Sequence, residues 1–455
     1  MSQRPPTAVF RLREEKTLAA IAAVATLLIG IAVILAGNGL IGTLLGIRGE
    51  MASFSSATMG LIMSGYFIGF VAGTFVIPQR VRQVGHIRMF AALASMASII
   101  TLLHGLFIVP ELWFVLRILA GFCVVGLYIV IESWLNEQTD NADRGNIFSA
   151  YMTTTLIGLG VGQALLLVGD INTLELFALA SVLLSLGLIP VAMTRVKEPL
   201  ITEAQRLGLK KLYAISPLGV VACVFSGLGA GAFWGLGPVF GANMGLSTNT
   251  IAGFMGLTIL GGVVMMWPVG KLSDLFERRK VLLAACALTA IMALIAHGLM
   301  AFGNNTVLLG GFLYGSFAFS IYSLAAAHTN DHVEPEQMLE VSSSLQLLWG
   351  GGAIVGPIIT GFLMQTISPS VFLPFLMMAA SIPAVFAIWR IQVSEAIDPE
   401  DQGDFVPQFA TSPVALEMHP DQEEESPEID GETDIEFDSA AHQEKTDESS
   451  NPSAH

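Results

Sequence analysis

Two ionisable side chains lie inside otherwise apolar runs, Arg117 in LWFVLRILAG and Glu132 in YIVIESWL. Charged groups at membrane depth are costly, and where they persist they mark solute pathways, proton relays or counter-ions. Arg117 offers an anion contact or a relay cation, and Glu132 offers a carboxylate that could take up and release a proton. Fifteen residues separate them, which is about 22 Å at 1.5 Å per helical residue, so they cannot pair directly. Polar and aromatic side chains that could complete a pathway are Asn38, Tyr128, Thr153 to Thr155, Gln163, Trp234, Asn243, Tyr322 and Gln346. Each could equally cap or bridge helices. Arg117 could instead snorkel to a headgroup layer, and Glu132 could be a hydrated residue near the inner end of its helix.

Other chemistries have no residues to carry them. The chain holds no Gly-rich phosphate loop, cysteine cluster or Ser-centred elbow, which excludes ATP-driven pumping and leaves an enzyme without a catalytic set. Cys123, Cys223 and Cys286 each fall within an apolar run and read as small hydrophobes, so neither a disulfide framework nor a metal is expected. No cofactor and no nucleic-acid partner are expected.

The elements that must hold these residues are membrane helices. The chain is 53% hydrophobic and 13% charged, against roughly 25% charged in soluble domains. Its apolar stretches exceed the roughly 20 residues a bilayer core requires. They predict an all-α integral membrane protein with twelve transmembrane helices, at about 17–40, 55–78, 88–109, 111–135, 147–168, 173–195, 214–240, 249–270, 280–301, 305–327, 340–364 and 369–391. Nineteen of the 21 Lys and Arg fall on one side of that arrangement, which predicts a multi-pass protein of the cytoplasmic (inner) membrane with both termini in the cytoplasm. The expected organisation is a cytoplasmic N-terminus (1–16), a six-helix bundle (17–195), a cytoplasmic central loop (196–213), a second six-helix bundle (214–391) and a cytoplasmic tail (392–455). The tail holds 19 acidic residues and one basic residue. It is expected to be solvated and disordered, with Phe405, Phe409 and Leu416 as a possible docking patch.

The two bundles look duplicated. A shift of 194 residues sets Gly121 on Gly315, Tyr128 on Tyr322, Asn136–Glu137 on Asn330–Asp331, Gly158 on Gly352 and Gly162 on Gly356. Between the eighth and ninth spans, GKLSDLFERRKVLL carries a Gly-x-Leu-x-Asp stretch followed by a basic pair: Gly270, Leu272, Asp274, Arg278 and Arg279. With Arg117-x-x-x-Gly121, this resembles the major facilitator superfamily (MFS). GNGLIGTLLGIR, GHIRMF, IESWLNEQTDNADRGNIFSAYM and AAAHTND are similar to its little-characterised bacterial YcaD-like branch. The resemblance covers about residues 15–392, and the first-half copy of the motif, PQRVRQVGHIR, lacks the acid.

That resemblance implies the MFS fold of two pseudo-symmetric six-helix bundles. It also implies a secondary active transporter of a small solute working by alternating access, with protons as a candidate coupling ion, monomeric in the bilayer. The translocation pathway would hold Arg117, Glu132, Asn38, Tyr128, Gln163, Trp234, Tyr322 and Gln346. A cytoplasmic gate would hold Asp274, Arg278, Arg279, Arg82, Arg144, Glu334 and Glu336, with Arg82 reaching the 334–340 stretch and Asp274 reaching Arg144 or the start of the fifth span. The alternative is a non-transporting sensor or assembly factor whose acidic tail holds a cytoplasmic partner.

Overall fold

Long apolar runs must satisfy their backbone groups internally where water is absent, and helices do so within one segment. The computed structural model describes residues 6–139, 144–193, 207–334, 337–393, 397–403 and 405–412, and among these the regular structure is helical throughout. In the first half, α1 (Pro6–Met51), α2 (Ser56–Val84), α3 (His86–Leu106), α4 (Pro110–Glu137) and α5 (Arg144–Leu165) precede the short α6 (Glu175–Leu186) and α7 (Leu188–Met193). The second half opens with α8 (Leu209–Ile215), then α9 (Pro217–Asn243), α10 (Thr248–Leu275) and α11 (Arg278–Leu299). It continues through α12 (Thr306–Ala318), α13 (Ser320–Asn330), α14 (Met338–Thr366) and α15 (Phe372–Val393).

The boundaries follow local chemistry. Ser55 and Ser247 cap α2 and α10 by accepting the N–H of Thr58 and Thr250. Proline opens α4 and α9 at the first turn, where no amide donor is needed. Gly85 sits at φ 91° between α2 and α3, a conformation that a side chain would strain.

Ten helices among the described residues are long and apolar enough to cross a membrane, rather than the twelve expected. The two that fall short are the fifth and sixth. Helix α5 spends part of its length on Thr153, Thr154, Thr155 and Gln163, and α6 stops at Gly187 so that its apolar length divides between α6 and α7. Two other expectations are corrected. The first apolar helix continues beyond residue 40 to Met51, because Leu40, Leu44 and Leu45 are buried there. Part of the expected solvated tail is packed against the bundle: Val406, Gln408, Thr411 and Ser412 are 8, 4, 3 and 3% exposed. Residues 413–455, Leu416 included, lie outside the described residues.

Within the halves α2 packs on α4, α1 on α5 and α6, and α3 on α4, while α10 packs on α12, α9 on α14, and α11 on α15. Glycines make this equivalence close. A Cβ on Gly121 would overlap the carbonyl of Tyr66 and one on Gly315 that of Thr258; Gly162 and Gly356 lie in the same way on the carbonyls of Ala36 and Leu228. The same two interhelical approaches are therefore built twice.

Between the halves, α2 meets α14, α5 meets α10, and α1 meets α9. The α2–α14 seam is tight where Gly60 faces the Pro357 carbonyl and Gly361 the Ser56 carbonyl. Asn243 donates to Ser56 Oγ at 3.1 Å, and the Ala57 N–H donates to Gln365 at 3.3 Å. At the opposite end of the bundle, where α10 turns into α11, residues 403 and 405–412 lie along a line inward from Asp331 and Arg278 to Glu132.

Candidate functional site

Close approach of α2 and α4 builds the core of the site. Gly121 brings α4 onto the backbone at Tyr66, and one turn earlier Arg117 is thereby laid over the Tyr66 ring, with Cζ 4.5 Å from the centroid. The Tyr66 hydroxyl is hydrogen-bonded with Asn38 of α1. Arg117 is 7% exposed, and its Nε has no hydrogen-bond partner.

These groups border a cavity of about 170 Å³ between the halves. Asn38, Arg117, Tyr128, Gln163, Trp234 and Tyr322, six of the eight expected pathway residues, share it. Gln163 is fixed by Thr43, whose hydroxyl donates to Oε1 at 2.6 Å, while its Nε2 donates to the Gly39 carbonyl at 3.1 Å. Trp234 stacks on Phe319 at 5.8 Å between centroids, and Tyr322 meets Trp349 edge-on at 6.2 Å. Arg117 is the one charged side chain among the residues lining the cavity.

The other two expected pathway residues stand apart from this lining. Glu132 is fully buried and accepts the Tyr151 hydroxyl at 2.6 Å and the Ser412 hydroxyl. Gln346 is 4% exposed on α14, with both amide atoms lacking partners.

The expected gate residues divide into two sets. Arg278 is 2% exposed and is held within the second half: it pairs with Asp331 and donates to Ser273 Oγ at 2.9 Å and the Gly403 carbonyl at 2.6 Å. Burial holds the Asp331 carboxyl above the ordinary carboxylate range against the pull of Arg278. Arg279 pairs with Glu277, two residues earlier. These two arginines therefore anchor the α10–α11 turn. Asp274 lies 3.7 Å from Arg278 and accepts the Phe405 N–H at 2.8 Å. Arg82 and Glu334 are exposed near the ends of α2 and α13, while the Arg144 side chain and Glu336 lie outside the described residues.

Spacing in the sequence does not disclose several participants. Tyr66, Thr43 and Trp349 reach the cavity from three separate helices and Phe319 from the α12–α13 turn, while Tyr151 of α5 finds Glu132 of α4 by a side-chain hydrogen bond. A Gly one turn further along α2, Gly69, also pressed against α4 at Ile118, is the nearest signal for Tyr66. His328 and His332 have metal-ligand spacing and stack edge-to-face at 4.8 Å. No third His, Cys or acid joins them as a metal set among the described residues.

Comparison with known proteins agrees with this architecture. The model described as Major Facilitator Superfamily matches residues 27–295 and 219–415. The protein of Escherichia fergusonii described as the uncharacterized MFS-type transporter YcaD is 28% identical over 330 residues, or 71% of this chain and 83% of that protein. Its counterpart from Salmonella arizonae is 26% identical over 358 residues, 78% of this chain and 91% of that protein. Among solved structures, nucleoside transporter NupG superposes with a TM-score of 0.63 at 14% identity, over 81% of this chain and 98% of that one. A bacterial homologue of the human lysosomal transporter Spinster, inward-facing and occupied, gives 0.64 at 15%, over 84% and 97%. At such identities these two structures speak for the fold alone. The chain is a multi-pass membrane transport protein rather than an enzyme, is similar to the YcaD-like transporters, and belongs to the major facilitator superfamily.

Proposed function

We propose that this protein is a secondary active transporter moving a small organic anion with an apolar body across the cytoplasmic membrane by alternating access. The observation that carries the reading is Arg117, a buried guanidinium facing a cavity whose lining residues include no carboxylate. A buried cation without a counter-charge is expensive, and an entering anion would relieve that cost. The rings of Tyr66, Tyr128, Trp234, Phe319, Tyr322 and Trp349 offer flat apolar contact to the rest of such a solute.

In this reading α5 and the α6–α7 pair also cross the bilayer, giving twelve spans. Helix α5 lies between α1 and α10 and turns Thr155 and Gln163 inward, so these polar groups need not meet lipid. The Lys and Arg distribution supports a topology with both termini and the α10–α11 turn in the cytoplasm. In this reading the seam between α2 and α14 closes the outer side, and the α10–α11 end, where the tail segment lies, faces the cytoplasm. Glu132, paired with Tyr151, is the carboxylate through which a proton gradient would couple.

Counterflow of labelled carboxylates, aromatic acids and neutral analogues in proteoliposomes tests this. At least one aromatic or aliphatic monocarboxylate should accumulate, and Arg117→Gln should reduce its uptake about tenfold or more, the scale of one lost charge-assisted contact. Glu132→Gln should retain exchange but lose accumulation driven by an imposed proton gradient. Transport restricted to neutral solutes, or indifferent to Arg117→Gln, contradicts the reading.

A further inference from the structure

The groove between the halves at the α10–α11 end holds an extended peptide, and the peptide is the chain's own. Its backbone is received group by group. The Gly403 carbonyl accepts from Arg278 Nη2 at 2.6 Å, and its N–H donates to Asp331 at 3.3 Å. The Phe405 N–H donates to Asp274 at 2.8 Å. Ser323 of α13 closes a two-point contact with Gln408, its hydroxyl donating to the carbonyl at 2.6 Å and accepting from the N–H at 3.2 Å. Ser412 then donates to Glu132 in the other half.

Side chains follow the same track. The Phe405 ring lies on Gly270, where a Cβ would overlap it. Phe409 meets Phe319 edge-on at 6.5 Å and, with Ala410 and Thr411, forms part of the wall of the Arg117 cavity. The segment thus bridges both halves and stands between the cavity and the α10–α11 end.

We infer that residues 403 and 405–412 are a resident ligand of this groove, which is a binding site for an extended peptide, and that their docking closes the solute cavity and shields Glu132 from the cytoplasm. As the regulation of that same cavity, the inference rests on the transport reading. Asp274 and Arg278, residues of the signature stretch, thereby take on a second task as receptors for the segment. A short connection from Val393 keeps the segment beside its groove, and such tethers give effective concentrations on the order of millimolar, enough to occupy a site of modest intrinsic affinity. The acidic stretch that follows in the sequence is then a handle by which a basic partner could withdraw the segment.

Thiol labelling tests this without any solute. Gly42 lines the cavity and has open space around it, so Gly42→Cys, with the three buried native cysteines replaced by Ala, reports access. Labelling by a membrane-impermeant maleimide is measured in inside-out vesicles for the full chain, for Phe409→Ala, and for a chain ending at residue 402. A segment docked nine-tenths of the time leaves the cavity open one-tenth of the time, so truncation should speed labelling about tenfold. Phe409→Ala, which keeps the whole chain, should raise the rate in the same direction. A synthetic peptide of residues 403–412 should slow the truncated protein again, and a scrambled peptide should not. Equal rates in all three proteins, or a peptide without effect on the truncated one, overturn the inference. Flat solute fluxes alongside the expected labelling pattern would instead overturn the transport reading and leave the docked segment standing.

Discussion

A guanidinium over a phenol ring is the smallest unit on which the account turns. Stacking of this kind contributes about 0.5–2 kcal/mol, and it orients Arg117 while leaving its edge for a ligand. Tyr66→Phe should therefore preserve solute affinity within about threefold, whereas Tyr66→Leu should weaken it by up to about tenfold, measured as KM for the transported anion. Arg117→Lys should behave like Tyr66→Leu or worse, because an ammonium has no planar face to lay on the ring. Arg278 is the contrasting arginine. Its side chain and that of Asp331 are 2% and 3% exposed, so removing one partner strands a buried charge. Arg278→Ala should cost about 3–5 kcal/mol of stability, and adding Asp331→Ala should recover part of it, read as thermal melting in detergent. Both arginines were visible in the sequence as chemistry-bearing residues. Their roles were not, because Tyr66 and Asp331 come from other helices, and only the tertiary packing of α4 on α2 and of α11 on α13 brings the partners together.

Among helices, the closest approaches are made by glycines, and two of them recur as equivalent pairs in the two halves. Gly121 on Tyr66 and Gly315 on Thr258 are the same contact in two halves. Gly121→Val and Gly315→Val should each destabilise by at least about 1–3 kcal/mol, since a packed backbone must withdraw, and thermal melting should show losses of similar size at both positions. Gly42→Ala, with open space around it, should leave the melting point unchanged. The duplication was legible because close packing demands glycine at fixed register, and a 194-residue shift exposes the pairs. The fifth and sixth spans were less legible. The composition of α5 is a compromise between lipid and cavity, and the apolar run of α6 is divided at Gly187, so length and hydropathy identify ten helices where twelve runs were expected. The docked segment was legible only in part: Phe405 and Phe409 stood out as a possible docking patch, but the groove that receives their backbone did not. The segment's neighbours are acidic and rich in proline, and a local composition typical of solvated chain says nothing of a groove shaped to accept a few backbone groups.

At the scale of the whole molecule, two similar bundles meet along α2–α14 and α5–α10, joined at one end by hydrogen bonds at Ser56, Asn243 and Gln365 and bridged at the other by the tail segment. Alternating access requires that this asymmetry be exchangeable: the seam at Ser56, Asn243 and Gln365 opens as the α10–α11 end closes. Exposed hydrogen bonds such as those at Ser56 and Gln365 contribute about 0.5–1.5 kcal/mol each, a scale that a bound solute can outweigh. In the proposed cycle the segment at 403 and 405–412 occupies the end that must open and close, so its release has to precede each turnover. A chain ending at residue 402 should accordingly carry its anion faster than the full protein, by the same factor as its labelling rate, whereas a sensor that acts through its tail would lose its output entirely. The most direct measurement is a pair of spin-label distances in lipid, one across the seam from position 56 to position 365, the other across the α10–α11 end from position 84 to position 338. With the transported anion and a proton gradient, the first distance should lengthen as the second shortens, in one correlated population shift. Two distances that stay fixed while the anion crosses would contradict the account.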